Sequence, residues 1–344
     1  MDKKVVTFGE VMMRLTPPGF LRFVQARSFD VIYAGGEVNV AITLANLGVP
    51  AEFVTRLPKN DLGDACINYV RQFGVGTDGI IRGGDRLGVY FVETGAVQRG
   101  NKVIYDRANS ALANIKPEMV DWAKVFSDAN WFHFTGITPA ISEGAAETCL
   151  EAAKKAKEMK LTVSCDLNYR GQLWKWGKTP SEVMTKLMEY VDIVIGNEED
   201  AEKMFGIKAP GADVTKGKVE AESYRFVAEK LKERFPNLRL VGITLRGSIS
   251  ASHNTWSGVL YDGETHYEAP IYDITHIVDR VGGGDAFSGG LLYSLIRGYD
   301  LQKALNLAVA VSCLKHTIYG DSCVVKLEEA ESLMAGAVSG RISR

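Results

Sequence analysis

Short apolar segments alternate along the chain with longer segments in which apolar residues recur at helical spacing. The run Val191-Asp192-Ile193-Val194-Ile195 is almost wholly apolar, as expected of a strand that is covered on both faces. The alternation predicts a doubly wound, mostly parallel α/β sheet flanked by helices. The predicted strands cover residues 5–8, 51–57, 131–135, 161–167, 192–195 and 240–245, and the predicted helices cover residues 37–47, 62–73, 142–159, 180–190 and 220–235.

Two segments, residues 12–33 and 87–107, interrupt this alternation because they read as extended and contain no good helix. The second has the pattern of a β-hairpin with a long loop. Loops of this length are usually functional or disordered, and the β-rich composition argues against disorder. We therefore predict a small sheet, built from these two insertions; two ordinary surface loops remain the alternative. The α/β core then comprises residues 1–11, 34–86 and 108–344.

The composition excludes several classes of protein. The 344 residues include 40 Lys and Arg against 42 Asp and Glu, a net charge of −2, so no basic surface for nucleic acid or an anionic membrane is expected. No uncharged apolar run approaches the ~20 residues that cross a bilayer, and the N-terminal run is too short for a signal peptide. The five cysteines form no CxxC pair, which argues against a disulfide framework or a zinc site. We therefore expect a cytoplasmic protein.

The predicted strands end in unusually polar residues. In a parallel sheet, ligands bind beyond the carboxyl ends of the strands, so we expect these residues to converge on one cleft. They are Gly9-Glu10, Thr135-Gly136, Asn168-Tyr169-Arg170, Asn197-Glu198 and Thr244 to Arg246.

Three consecutive glycines, Gly282 to Gly284, precede an amphipathic segment at residues 285–297 that is predicted to be helical. A helix N-terminus offers unpaired N–H groups and positive partial charge, and glycines let an anion approach the backbone. Asp285 would repel a bound phosphate, but it suits a general base that takes a proton from an attacking hydroxyl. A helix cap after a flexible turn explains the same residues equally well. Neither a GxxxxGK[ST] P-loop nor a GxGxxG after the first strand occurs.

At this point the chain resembles a known family. The segments from Asp279 to Phe287 and from Gly35 to Ala41 are similar to the two signatures of the ribokinase-like (PfkB) sugar kinases, in the family's order and spacing. The resemblance covers essentially the whole chain and implies an enzyme that uses ATP and Mg²⁺. It implies that Asp285 is the catalytic base and that the backbone amides of Gly282, Gly283 and Gly284 form the anion hole.

The resemblance also implies how the sugar is held. Gly35, Gly36 and Asn39 would bind the sugar, and residues 12–33 with 87–107 would form a β-sheet lid above it. In this family the lids of two subunits often pair. A homodimer through the lid is therefore expected, with a higher homo-oligomer as a further possibility.

The nucleotide side of the site is implied by further matches. Asn197-Glu198-Glu199-Asp200 resembles the family's Asn-x-x-Glu motif near magnesium and phosphate, and the shorter Asp200 would act there through water. The segment from Thr244 to Ser248 stands in the place of a nucleotide-lining loop. Arg280 and Val281 replace the threonines that are common before the glycines, which puts a monovalent-cation site of the ribokinase type in doubt. The implied nucleotide-binding residues are Asn168, Asn197, Thr244, Arg246 and Gly247.

The substrate is indicated by the segment from Gly9 to Pro17, Gly-Glu-Val-Met-Met-Arg-Leu-Thr-Pro, which resembles the 2-keto-3-deoxygluconate kinases. Kinases of ribose and nucleosides generally carry an Asp where this chain has an apolar methionine. Tyr105 and Arg107 are two residues apart in the predicted hairpin, so they share one face of a strand. An arginine binds a carboxylate bidentately, whereas a neutral sugar does not need one. The resemblance adds Tyr90, Arg170 and Asp321 as substrate-contacting residues.

We therefore expect a kinase that transfers the γ-phosphate of ATP to the 6-hydroxyl of 2-keto-3-deoxy-D-gluconate. Taken singly, Tyr105, Arg107 and Asp321 are explained as well by a packed aromatic ring, a surface charge and a turn residue. A fructokinase or another neutral-sugar kinase of the family is the alternative, followed by a non-catalytic sugar-sensing relative. The presence of Asp285 argues against the sensor, and the missing dinucleotide motif argues against a nicotinamide dehydrogenase.

Overall fold

The computed structural model describes residues 4–208 and 221–336. Residue 220 of the fifth predicted helix lies outside the described residues, as do the ends of the predicted core and its residues 209–219. The strands are β1 (Lys4–Phe8), β2 (Met12–Thr16), β3 (Asp30–Ala34), β4 (Ala51–Val54), β5 (Arg56–Leu57), β6 (Ile81–Arg82), β7 (Gly88–Glu93), β8 (Lys102–Asp106), β9 (Ala129–Thr135), β10 (Thr162–Asp166), β11 (Ile193–Gly196), β12 (Leu240–Ser250), β13 (His253–Tyr261), β14 (His266–Glu268) and β15 (Tyr272–Ile274). The helices are α1 (Gly36–Asn46), α2 (Asp61–Arg71), α3 (Trp122–Val125), α4 (Ile137–Ile141), α5 (Glu143–Glu158), α6 (Pro180–Met188), α7 (Glu198–Phe205), α8 (Ala221–Arg234), α9 (Gly283–Ile296), α10 (Leu301–Lys315) and α11 (Leu327–Met334).

The large sheet has the order β14-β13-β12-β11-β10-β9-β1-β4, with β15 paired to β13. Its strands from β4 to β12 pair in parallel, and the pairs made by β13 are antiparallel. Apolar residues cover both faces, since one buried cluster joins α1, α2, α9 and α10 and another joins α5, α6 and α8. This confirms the predicted doubly wound, mostly parallel α/β sheet flanked by helices.

A separate small sheet of four strands has the order β3-β2-β7-β8. Strands β7 and β8 form an antiparallel hairpin, and β2 joins β7 in parallel. Arg14 on β2 is aligned with Tyr90 on β7, and Tyr90 is aligned with Tyr105 on β8, so the three side chains lie in one row on one face.

Helix ends follow from local capping. Ser142 caps α5 by accepting a hydrogen bond from the amide of Ala145, and Thr179 caps α6 by accepting one from the amide of Glu182. Pro180 is the first residue of α6, where its missing N–H costs no hydrogen bond. These signals explain why the predicted helices lie within a few residues of the observed ones.

Two expectations about local structure are wrong. The segment that contains Thr244, Arg246 and Gly247 is not a loop, because β12 continues to Ser250 in antiparallel pairing with β13. Helix α9 is not amphipathic, because it is buried along residues 285–294 between α1 and α10. A helix that is covered on all sides needs no polar face.

Candidate active site

The buried carboxylate of Glu37, at the start of α1, binds the carboxyl end of β9 and the first turn of α4. Its Oε1 accepts hydrogen bonds from the backbone N–H of Thr135 at 3.0 Å, from the hydroxyl of Thr135 at 2.7 Å and from the hydroxyl of Thr138 at 2.6 Å. Burial raises the pKa of Glu37, and these hydrogen bonds oppose the rise. Glu37 was not predicted as a site residue, although it lies inside the first glycine signature.

Asp285 lies in the first turn of α9 and faces the start of α1. The Nδ2 of Asn39 donates to its Oδ2 at 2.7 Å. No group in the described parts of the chain donates to Oδ1, which points toward Gly36: a Cβ built on that glycine would lie 3.7 Å away. Burial raises the pKa of Asp285 to about 7, and the hydrogen bond from Asn39 opposes that rise. A carboxylate with such a pKa is matched to proton transfer near neutral pH.

Asn39 carries a second unpaired group. Its Oδ1 is buried and has no hydrogen-bond partner within residues 4–208 and 221–336. Because buried acceptors without partners are rare, this atom marks a place where a ligand hydroxyl would donate. Gly35, four residues earlier, allows the segment between β1 and β2 to approach the start of α1, because a Cβ there would lie 1.9 Å from the carbonyl oxygen of Glu10.

The glycine motif builds the N-terminus of α9. Gly282 is the N-cap with φ +83°, a left-handed conformation that suits glycine, and a Cβ there would lie 2.0 Å from the carbonyl oxygen of Asp321. The amide of Gly283 donates to the carbonyl of Arg280 at 3.4 Å, whereas those of Gly284 and Asp285 have no acceptor in the part of the chain described. These two first-turn amides can bind an anion.

A buried carboxylate, that of Asp166, contacts this helix. Asp166 ends β10 and accepts a hydrogen bond from Ser288 on α9 at 3.2 Å. Burial raises the pKa of Asp166, and the charges of Asp200 and Asp285 raise it further, while Arg170 opposes them. Asp166 was missed by the sequence analysis; its only signal is that it is the next-to-last residue of the strand predicted over residues 161–167, two residues before Asn168.

Asp200 is engaged at the N-terminus of α7. Its Oδ1 accepts from the amide of Tyr169 at 2.8 Å and its Oδ2 from the amide of Asn197 at 3.0 Å, while the Oδ1 of Asn197 caps the helix by accepting from the amide of Asp200. Burial raises the pKa of Asp200, and these backbone hydrogen bonds oppose the rise. The carboxylate is therefore fixed in orientation, with only its remaining lone pairs open to water or a ligand.

The carboxylates fit a magnesium ion that arrives with a phosphate ligand. No cluster of three His, Cys, Asp or Glu side chains within the described ranges could hold a metal ion by itself. Mg²⁺ is usually held by one or two carboxylates together with waters and substrate phosphates. Burial is the main cause of the raised pKa of Asp166, and the repulsion from Asp200 and Asp285 that adds to it is the kind that a divalent cation relieves.

The small sheet contacts the core through a buried network. The guanidinium of Arg14 is fully buried and donates to Oδ2 of Asp279 at 2.6 Å and to Oδ1 of Asp321. The hydroxyl of Tyr90 donates to the other oxygen of Asp321 at 2.6 Å. Burial opposes the charge of Arg14, but Asp321 and Asp279 outweigh it and raise its pKa. Neither Arg14 nor Asp279 was predicted as a site residue, although both lie inside motifs that were singled out.

Arg107 directly follows β8, the outer strand of the small sheet, and is buried. Its Nε donates to Oε2 of Glu10 at 2.7 Å and its Nη2 forms an ion pair with the same oxygen, while Ser110 donates to Oε1. The Nη1 group has no acceptor in the described chain. Tyr105 lies beside it, with the guanidinium carbon 5.8 Å from the ring centre, and stacks on Tyr90 at 5.9 Å.

The remaining predicted residues lie around the same edge of the sheet. Arg170 is exposed, and its charge lowers the pKa values of Asp166, Asp200 and Asp285, which places it within electrostatic reach of all three. Asn168 has φ +41°, a left-handed conformation that asparagine tolerates better than most residues. The hydroxyl of Thr244 is 3.5 Å from the carbonyl oxygen of Gly196, whereas Arg246 and Gly247 lie farther along β12.

The sequence profile of the pfkB family carbohydrate kinases matches residues 2–324. The chain belongs to the pfkB family of carbohydrate kinases. This confirms the family resemblance and the prediction of an ATP-dependent sugar kinase. No helix in the described part of the kinase is both long enough and apolar enough to span a membrane.

Three relatives show where the kinase lies within its family. The crystal structure of a 2-dehydro-3-deoxygluconokinase from Thermotoga maritima superposes with a TM-score of 0.92 at 50% identity, over 97% of this chain and 100% of that one. A 2-dehydro-3-deoxygalactonokinase from Haloferax volcanii is 34% identical over 345 residues, which are 99% of each chain. A 2-dehydro-3-deoxygluconokinase from Thermoproteus tenax is 27% identical over 336 residues, 96% of this chain and 94% of that one.

Proposed function

We propose that the kinase transfers the γ-phosphate of ATP to the 6-hydroxyl of 2-keto-3-deoxygluconate, the compound also called 2-dehydro-3-deoxygluconate. The observation that carries the proposal is the pairing of Asn39 with Asp285 at the N-terminus of α9. Here a carboxylate with a pKa of about 7 lies beside a buried amide oxygen and two backbone amides that have no hydrogen-bond partner among the described residues. The relative at 50% identity, named for the gluconate-derived acid, supports this choice of substrate.

Asp285 acts as the general base. Asn39 holds its Oδ2, so Oδ1 is left to accept the proton of the sugar's terminal hydroxyl. As the proton leaves, the hydroxyl oxygen bonds to the γ-phosphorus and the bond from that phosphorus to the bridging oxygen breaks, so the products are the 6-phosphate and ADP. The protonated Asp285 then returns its proton to water.

The N-terminus of α9 stabilises the charge on the transferring group. The free amides of Gly284 and Asp285 and the positive end of the helix favour negative charge at this point. We include Gly282 and Gly283 in the anion site because they shape the backbone around it. The nearby carboxylates, Asp166 and Asp200, would hold a magnesium ion through water; bound there with ATP, it would neutralise phosphate charge.

Residues in and next to the small sheet recognise the sugar acid together with Arg170 and Asp321 of the core. Glu10 engages one edge of the Arg107 guanidinium, and Nη1 at the other end is open to a carboxylate. The hydroxyl of Tyr90 donates to Asp321 and can still accept a hydrogen bond from the sugar. Arg170 is exposed in the segment that follows β10, where its positive charge can bind either the sugar acid or the phosphate.

We also propose that the small sheet is a lid that excludes water and a surface through which two subunits pair. Apolar side chains at its rim and on its outer strands are exposed, and patches of this kind mark interaction sites. They are Phe20, Val24, Val31, Val103 and Ile104. Light scattering on the wild type and on Ile104→Glu tests the pairing: a dimer that becomes a monomer supports it, and a wild-type monomer contradicts it.

A coupled assay of ADP release tests the choice of substrate. The panel contains 2-keto-3-deoxygluconate, its galactonate-derived epimer, fructose, ribose and gluconate. We expect the highest kcat/KM with 2-keto-3-deoxygluconate. A higher value with the epimer would correct the stereochemistry, and a higher value with fructose would favour a neutral-sugar kinase.

A further inference from the structure

Lys315, the last residue of α10, is completely buried. Its ammonium donates to two backbone carbonyl oxygens, that of Asp279 at 3.1 Å and that of Ile318 at 3.3 Å. Within residues 4–208 and 221–336 it forms no ion pair with a carboxylate. A buried charge is costly unless it is paired or well bonded, so an ammonium held by carbonyl oxygens is an unusual feature.

The two carbonyls belong to the two segments that shape the glycine motif. Asp279 starts the segment that leads into α9, and Ile318 lies in the turn that leads to Asp321. These segments touch at Gly282, where the Cα faces the carbonyl oxygen of Asp321 so closely that a Cβ would clash. The ammonium of Lys315 therefore links the two segments close to the contact between Gly282 and Asp321. That contact fixes the backbone from which the anion-binding amides of α9 project.

Burial lowers the pKa of Lys315, and Arg14 adds to this effect. The carboxylates of Asp279 and Asp321 oppose the lowering, because their negative charges favour the ammonium. Arg14 and Lys315 with Asp279 and Asp321 form a buried group of two cations and two anions. The carboxylate of Asp279 is itself fixed, since it accepts hydrogen bonds from Arg14, Val281 and Gly320.

The same segment does not fit an added monovalent cation of the ribokinase type. Carbonyl oxygens are the ligands that bind K⁺ in proteins, and here the carbonyls of Asp279 and Ile318 are occupied by the ammonium of Lys315. Arg280 is directed away to the β12–β13 turn, where it donates to the carbonyls of Ser250 and Ala251 at 2.9 and 2.8 Å. The two carbonyl oxygens that could bind a free cation are thus already bonded to a side chain.

We propose that the Lys315 ammonium is a built-in monovalent cation, which locks the segment that starts at Asp279 against the turn at Ile318 and makes catalysis independent of added K⁺. Lys315 is a positioning residue, because it acts on the anion-binding amides through the backbone. The effect on turnover rests on the proposed role of α9 in phosphoryl transfer. The effect of cations on folding does not rest on that role. The built-in cation and the role of α9 in phosphoryl transfer can therefore be refuted separately.

The test compares wild type with Lys315→Ala and Lys315→Met in equimolar chlorides of choline, lithium, potassium and ammonium. We expect the wild type to keep the same kcat and Tm in all four salts. Lys315→Ala leaves room for an ion: we expect kcat to fall at least about tenfold in choline, because small misplacements of catalytic groups have effects of that size. Potassium or ammonium should restore kcat and raise Tm, and lithium should do neither.

Lys315→Met is the matched control, because methionine fills the space of the stem without a charge. We expect it to lose kcat with the KM for sugar unchanged, and no salt to restore it. A wild-type kinase that needs K⁺ would overturn the proposal, as would full activity of Lys315→Met. If Lys315→Ala does not fold in choline, recovery of its folding by potassium or ammonium supports the proposal, and failure in every salt overturns it. If the Tm of Lys315→Ala depends on the cation while its kcat is unchanged, Lys315 is confirmed as a built-in cation, and its effect on α9 and catalysis is refuted.

Discussion

Arg14 donates a 2.6 Å hydrogen bond to Asp279, which joins the middle of the small sheet to the residue that starts the glycine motif 265 positions later in the chain. The same guanidinium also binds Asp321, so one side chain holds both segments that meet at Gly282. Strand β2 is therefore anchored to the core. Motion of the proposed lid is expected at the outer strand β8, whose five residues are all exposed.

Arg14→Ala should lower the stability of the kinase. The substitution leaves the carboxylates of Asp279 and Asp321 buried without their cation, and breaking a buried pair in this way costs about 3–5 kcal/mol. Urea denaturation measures the loss. As a control, Arg82→Ala removes a partly exposed pair with Asp64 and should cost about 1 kcal/mol or less. Equal losses in the two variants would contradict the role of Arg14.

Asp285→Asn should lower kcat by about 10²–10⁴-fold, because the amide cannot take the proton of the attacking hydroxyl. The KM for the sugar should change little, since Asn39 can still hydrogen-bond the new side chain. Steady-state kinetics with both substrates measures these constants. Asp128→Asn, at a side chain that is 67% exposed, is the control and should keep wild-type kinetics. Near-normal turnover of Asp285→Asn would end the assignment of the base.

The pH dependence of kcat/KM should follow the titration of Asp285. Burial raises its pKa to about 7, so below that pH the carboxyl group is protonated and cannot act as a base. The value of kcat/KM should therefore rise with pH through about 7 and level off above it. This constant is the one to measure, because its pH dependence reports the ionisation of groups in the free enzyme. The profile is measured with ATP saturating and the sugar varied. A flat profile across this range would contradict the raised pKa.

Arg107→Ala should raise the KM for the sugar acid far more than that for a neutral sugar such as fructose. The reason is that Nη1 of Arg107 is proposed to bind the carboxylate, which fructose lacks. The matched control is Arg86→Ala. It removes a partly exposed arginine whose ion-pair partner, Asp106, is the residue next to Arg107. An equal effect of Arg107→Ala on both sugars would show that the residue only supports the sheet through Glu10.

Much of this fold was predictable because its signals are local. The apolar runs of the parallel strands, the periodic helices and the glycine motif each lie within a short window of sequence, and the hairpin formed by β7 and β8 was indicated by its own residues. The family signatures implied that Asn39 and Asp285, 246 positions apart, serve one site, which periodicity could not indicate. The hydrogen bond between them was not predicted and is seen only in the tertiary structure.

The unpredicted parts depend on contacts between distant segments. β12 runs to Ser250 because β13 pairs with it, and α9 loses its polar face because α1 and α10 both cover it. Arg14 and Lys315 read as ordinary charged residues, and only the tertiary structure shows that both are fully buried around Asp279. A pattern of single residues does not record which charges are buried together.

The identity of the product tests phosphoryl transfer to the 6-hydroxyl of 2-keto-3-deoxygluconate. A phosphorus–proton correlation spectrum of the reaction mixture with ATP shows which carbon carries the phosphate. We expect coupling of the new phosphorus signal to the protons on C6, with one ADP formed for each phosphosugar, and a much slower growth of this signal with Asp285→Asn. Coupling to another position, or ADP without a phosphorylated sugar acid, would contradict it.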